Sequence, residues 1–353
     1  MSRYWSKLTR ALTPYVPGEQ PGLARVTKLN TNESPYPPSP QVLAALAEIE
    51  PTALRLYPDP QSTELRNALA ASNDLALDQV FVGNGSDEVI AFAFMAFFKQ
   101  ALPICFPDVT YSFYPVWADL YEVPYRQIPV DDSLGIDVRN YPSDNGGVIM
   151  PNPNAPTGLL LDLDAIEELL QRSRDSVVVI DEAYIDFGGK SAVSLINRYD
   201  NLLVVRTFSK SRALAGLRVG AAFGSAGLIE GLDRIKNSFN SYPLDCVAQR
   251  CAVASLEDDA YFVEMRDRII ASRLWLATKM EALGFTVLPS AANFVFARHA
   301  TVLAAEIHAN LRNEGIFTRH FAKDRIDNYL RISIGTQQEC EVLIDVLSEI
   351  LAQ

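Results

Sequence analysis

Four short polar motifs hold the residues best suited to chemistry: Gly83-Asn84-Gly85-Ser86-Asp87-Glu88, Pro151 to Gly158, Asp181-Glu182-Ala183-Tyr184 and Thr207-Phe208-Ser209-Lys210. Each directly follows a run of apolar residues. A lysine is ordinarily a solvated surface charge. Lys210 instead follows a strand-like run and two hydroxyl residues, Thr207 and Ser209, and precedes Leu214-Ala-Gly216-Leu-Arg218-Val-Gly220, a setting that favours an interior amine. An amine buried beside another cation gives up its proton more readily, freeing a lone pair to form a Schiff base with an aldehyde. The two hydroxyls and Arg218 offer donors to a dianionic phosphate beside it.

Asp181 ends the apolar run Val177 to Ile180, so its carboxylate belongs at the edge of a core. It could simply cap the next segment; alternatively it is the partner of a protonated pyridine nitrogen, which keeps such a ring an electron sink. Tyr184, in the same segment, has a phenol able to meet a ring hydroxyl. Gly85-Ser86-Asp87-Glu88 opens an apolar helix expected from near Val89, and free N–H groups at a helix start bind phosphate oxygens. The alternative is an ordinary N-cap by Ser86. Arg331 alternates with Leu330 and Ile332 in a strand pattern, so it and Ser333 face away from the apolar side. There it is either an exposed sheet arginine or a bidentate clamp for a carboxylate or phosphate.

The elements that would position these groups alternate. Val80-Phe81-Val82, Gly147 to Met150, Val177 to Ile180 and Leu202 to Val205 are apolar on successive residues, as strands buried on both faces are. Helical stretches separate them, one with a capping-box start at Asp164 and Glu167. This predicts an α/β fold with a mostly parallel sheet, and places the four motifs at strand carboxyl ends, where open α/β sheets bind ligands. After about residue 255 the pattern changes to long charged helices (roughly 257–283, 301–314 and 337–352) around the strands Asn293 to Phe296 and Leu330 to Ile334. The division predicted is a large domain over 46–255 and a smaller α+β domain from 1–45 and 256–353.

The 353 residues carry 31 Lys plus Arg against 43 Asp plus Glu, a formal net charge of −12, which argues against a nucleic-acid or anionic-membrane surface. An anionic ligand must then be held by a local pocket. Cys105, Cys246, Cys251 and Cys340 form no CxxC pair and do not cluster with the three histidines, so no metal site is expected and a reduced, cytoplasmic setting is. The N-terminus lacks the apolar core of a secretory signal. The longest apolar run, Val89 to Phe98, falls short of the ~20 residues that span a bilayer.

Taken together, the motifs resemble the fold type I aminotransferases, and more narrowly the histidinol-phosphate aminotransferases. The similarity runs from Leu12-Thr-Pro-Tyr15 and Lys28 to Glu33 through Leu56-Tyr57-Pro58, Gly83 to Glu88, Pro153 to Gly158, Asp181 to Phe187, Ser209 to Gly220 and Leu330 to Gly335. The resemblance implies pyridoxal 5'-phosphate as cofactor, joined to Lys210, with Asp181 on its ring nitrogen, Tyr184 on its ring hydroxyl and Tyr111 stacked on its ring. It assigns the cofactor phosphate to Thr207, Ser209, Arg218 and the backbone around Ser86 and Asp87. Tyr57 would reach that phosphate from the second subunit of a homodimer. It assigns the substrate to Tyr15, Asn32, Arg319 and Arg331, the last also taking the carboxylate of glutamate.

Two departures stand out. Ala155 replaces the asparagine with which many relatives touch the ring hydroxyl, leaving Asn154 as the expected substitute. Ser34 and Pro37 stand where relatives often have asparagine and glycine. The reaction implied is ping-pong transfer of an amino group between histidinol phosphate and 2-oxoglutarate. Aromatic transamination and phospho-amino-acid decarboxylation are rivals on the same scaffold; a non-catalytic regulator is disfavoured because no basic DNA-binding segment is present.

Overall fold

The computed structural model describes residues 2–21 and 26–352. A seven-stranded sheet runs in the order Val80–Asn84, Val219–Gly224, Leu202–Thr207, Val178–Asp181, Val148–Pro151, Ile104–Pro107, Tyr125–Ile128. Val219–Gly224 pairs antiparallel with both neighbours and every other pairing but theirs is parallel. The near-continuous apolar runs follow from this, because successive side chains of one strand enter different cores. Val80, Val82, Val178, Ile180, Leu202 and Val204 pack into one layer, while Phe81, Val179, Leu203 and Val205 pack into the layer on the other face.

The second body is an antiparallel sheet in the order Arg319–His320, Leu330–Ser333, Phe294–His299, Phe285–Val287. The helices Asp259–Ala282, Ala304–Asn313 and Gln337–Leu351 accompany it, and the last starts with a capping box between Thr336 and Glu339. The N-terminal segment joins this body: Thr27–Lys28 pairs in parallel with Ile316–Phe317, and Leu29 is buried in its core.

Three local expectations need correction. The helix Pro40–Ala47 packs into the large-body core through Val42, so the chain leaves the small body before residue 40 and not at 45, an apolar helix face going where a buried partner exists. The helix Leu163–Arg172 is capped by Asp162, whose carboxylate accepts from the Ala165 amide, and not by a box at Asp164; Glu167 pairs instead with Arg198 at 2.6 Å. The apolar helix expected near Val89 begins at Gly85, which draws the glycine motif into its first turn. Among the described residues no helix is long and apolar enough to cross a membrane. All four cysteines are free.

Candidate active site

The four motif-bearing strands share one direction, so their carboxyl ends form one rim. Beside this rim lies a cavity of about 350 Å³, lined among others by Ser86, Asp87, Tyr111, Asp181, Tyr184, Thr207, Ser209, Lys210 and Arg218 from the large body, and Tyr15, Asn32, Arg319 and Arg331. Residues separated by up to 316 positions thus face one space.

At one end sits an anion cradle. The helix Gly85–Ala93 has Asn84 at its N-cap with no side-chain cap bond, so the expected alternative of Ser86 as an N-cap is not realised; its first N–H groups keep the free, positive character of an uncapped helix start. Thr207 Oγ1 donates to Ser209 Oγ at 3.0 Å, and Arg218 reaches both Ser209 Oγ (3.3 Å) and Asp87 Oδ2 (3.1 Å). The guanidinium crosses directly over Gly85, where an added Cβ would lie 2.4 Å from Arg218 Nη2 and φ is +79°. Only glycine fits that approach. Helix start, hydroxyls and guanidinium form a donor set suited to a phosphate.

Asp181 closes the buried strand Val178–Asp181 and is itself buried. Tyr114 donates to its Oδ2 at 3.1 Å, and the Ala183 amide to its Oδ1 at 3.2 Å. The cap-like bond to Ala183 therefore exists, but it occupies one oxygen. Burial raises the carboxyl from 3.8 to about 7, overriding those two hydrogen bonds, and the charges of Asp87 and Glu182 add to the rise. A buried carboxylate in this condition is suited to a facing cation. The rise also has a thermodynamic sign. Between pH 4 and 7 the unfolded chain loses the Asp181 proton while the folded chain keeps it, so this group's contribution to stability falls as pH rises, by roughly 4 kcal/mol once pH passes 7. We expect ligand-free protein to lose stability over this window and Asp181→Asn to flatten that loss in urea titrations at pH 5 and pH 8; equal slopes in the two proteins would contradict the buried-acid account.

Lys210 lies in the turn after Leu202–Thr207 and donates from Nζ to the Thr31 carbonyl at 3.1 Å. It is half-buried and lines the cavity. Tyr111 donates to Asp87 Oδ1 at 3.2 Å. At the far end, Arg331 donates to the Asn30 carbonyl at 2.8 Å and lies over the rings of Phe294 and Phe321, at 5.5 and 5.6 Å. Arg319 also lies over Phe321, at 5.5 Å, and Tyr15 packs on Phe113 at 4.8 Å. Burial lowers the Arg331 guanidinium from its ordinary value, and the neighbouring Arg319 charge lowers it further, while the nearby Tyr184 works the other way. Its buried Nε has no acceptor among the described residues. Two adjacent guanidiniums with an unused buried donor suit an anion.

One expected contact is not placed at the cavity. Asn154 does not line the cavity: its amide nitrogen donates to Val109 O and Thr157 Oγ1, and its oxygen accepts from Thr110. Ala155 and Pro156 form the wall there instead. Asn32 lines the cavity; one of its amide N–H groups donates to Tyr184 Oη and its amide oxygen accepts from Ser333. Tyr57 lies apart, 81% exposed and stacked on Tyr242 at 4.7 Å. The sequence reading missed Tyr114, Thr31 and Asn293, whose contributions depend on contacts no local pattern reports; the aromatic-rich segment Val109 to Trp117 was the only signal for Tyr114.

Residues 24–347 match the family model described as aminotransferase class I and II. The chain is 59% identical, over 98% of its length and 97% of the relative's, to histidinol-phosphate aminotransferase 2 of Thiobacillus denitrificans. It is 56% identical, over 99% of its length and all of the relative's, to histidinol-phosphate aminotransferase 1 of Bradyrhizobium diazoefficiens. Its fold is similar to that of the Sinorhizobium meliloti histidinol-phosphate aminotransferase crystallised with pyridoxal-5'-phosphate, with a TM-score of 0.90 at 24% identity, covering 100% of this chain and 98% of that one.

Proposed function

The chain belongs to the class I and II aminotransferases, among the histidinol-phosphate aminotransferases, and from that premise we propose that its cavity exchanges the amino group of histidinol phosphate with 2-oxoglutarate, giving imidazole-acetol phosphate and glutamate. The observation that carries the reading is one cavity with an anion cradle at Arg218, a buried acid at Asp181, an interior amine at Lys210 and a second anion clamp at Arg319 and Arg331. The first three fit pyridoxal 5'-phosphate. That group, when bound, supplies an aldehyde for an amine and a ring that accepts electrons from the substrate α-carbon.

Each residue then has a defined task. Arg218, Ser209, Thr207 and the amides near Ser86 and Asp87 hold the phosphate, and Tyr111 covers the ring. Asp181, ionised by a cation facing it, would hold the ring nitrogen in its protonated form. Tyr184 meets the ring hydroxyl. Lys210 would hold the cofactor through Nζ, and the same amine would serve as the general base for the substrate α-proton. Arg331, Arg319 and Tyr15 hold the substrate phosphate, and Arg331 takes the carboxylate of glutamate in the other half-reaction. Two substrates then use one clamp in turn, which is compatible with a ping-pong cycle because they do not occupy the site together.

The outward ring of Tyr57, with Leu54, Leu56, Phe239 and Tyr242 also exposed, supports a homodimer in which Tyr57 completes the partner's phosphate site. A biosynthetic enzyme of the cytoplasm fits the reduced cysteines. The substrate choice is tested by spectral titration with histidinol phosphate and then glutamate, beside glutamate-dependent rates on imidazole-acetol phosphate and phenylpyruvate. We expect the phosphorylated keto compound to be preferred by at least about 100-fold in kcat/KM, the scale of one charge-assisted anion clamp; a preference for phenylpyruvate would replace this reading with aromatic transamination.

A further inference from the structure

A chain of hydrogen bonds leads from the strand that carries Arg331 to the hydroxyl of Tyr184. Ser333 lies two residues beyond Arg331 on the same strand face. The Asn32 amide N–H donates to Ser333 Oγ at 2.8 Å, Ser333 Oγ donates to Asn32 Oδ1 at 2.7 Å, and Asn32 Nδ2 donates to Tyr184 Oη at 3.1 Å. Asn32 and Ser333 are buried. Asn293 holds the Asn32 carbonyl at 2.9 Å, and the backbone at Asn32 is left-handed, with φ +56°.

The direction of each proton follows. A serine hydroxyl has one proton and two acceptor sites. The Asn32 N–H fills one acceptor; turning the amide over would fill the other with Nδ2 and leave the buried Ser333 proton without an acceptor among the described residues, so that proton goes to Oδ1 and the amide nitrogen faces Tyr184. Tyr184 Oη therefore receives a donor, and its own proton is left pointing elsewhere. Among the described residues that proton has no acceptor. Ala155 lines the wall without a donor, and Asn154 is engaged elsewhere, so the demand for a donor at the ring oxygen falls on Tyr184.

We propose that Asn32 is a positioning residue that, held by Ser333, turns the Tyr184 hydroxyl proton toward the bound ring. This deepens the reading above and rests on it. A donor from Tyr184 stabilises the anionic ring oxygen most after the proton of the Lys210 linkage has left, so it favours loss of that proton.

The test is the pH titration of the visible spectrum of the cofactor-loaded protein, with thermal melts to verify folding. In Asn32→Asp the carboxylate only accepts, so it draws the Tyr184 proton away from the ring, and aspartate tolerates the left-handed backbone. The spectral midpoint should rise by about one to two pH units, the scale of one hydrogen bond to a charged oxygen. Ser333→Ala, which frees the amide to turn over, should shift it the same way by less. On a Tyr184→Phe background, Asn32→Asp should add almost nothing. A persistent shift on that background would mean a direct charge effect and would overturn the proposal. An unmoved midpoint in Asn32→Asp, with a normal wild-type spectrum, overturns it alone; no visible band in the wild type overturns the cofactor reading and this inference together.

Discussion

Lys210→Ala should lose turnover by at least about 10⁴-fold, the upper range for a general base, and with it the visible absorbance of the lysine-linked cofactor. Nζ makes a single hydrogen bond to protein, with Thr31 O, and losing it costs about 1 kcal/mol, so the variant should still fold. Inactivity would then report chemistry and not collapse. Lys210→Arg should be nearly as inactive despite keeping the positive charge, because a guanidinium does not release its proton. Both activities are read in a coupled steady-state assay beside absorbance spectra. Substantial turnover in either protein would remove Lys210 from the role of carrier and base.

Arg331→Ala should depress kcat/KM in both half-reactions, by about 10² to 10³-fold, the scale of truncating a buried hydrogen-bonded charge pair. Its guanidinium is fixed by Asn30 O and by the two flanking rings, a flat setting that a lysine ammonium does not match, so Arg331→Lys should recover little. Arg319→Ala supplies the contrast. It should impair histidinol phosphate more than glutamate, since the proposed assignment gives the glutamate carboxylate to Arg331. Single-turnover rates with each amino donor separate the cases. If Arg331→Ala spared glutamate, the shared clamp would be wrong.

The two halves of the site differ in how they could be read. Asp181, Ser86 and Lys210 belong to motifs that directly follow apolar runs, with Arg218 eight residues beyond Lys210, and the rule that open α/β sheets bind ligands at strand carboxyl ends turned that adjacency into a rim. The structure places these four residues around one cavity. Asn154 was misplaced because sequence adjacency to Ala155 says nothing of side-chain direction; its amide turns into the loop between Val109 and Thr157. The helix Pro40–Ala47 was misassigned for a similar reason, since its pattern shows that Val42 is buried but not against which body.

By itself the amino-acid order determined the strand and helix periodicities, the alternation that makes a buried parallel sheet, and the chemical identity of the groups at its rim, all properties of neighbours along the chain. Tertiary structure alone decided that Thr31 O would receive Lys210, that Tyr114 would meet Asp181, and that Ser333, 301 residues away from Asn32, would fix the amide facing Tyr184. Such pairings arise when two separately patterned bodies pack over one rim, and their geometry depends on how those surfaces close, which no local spacing encodes.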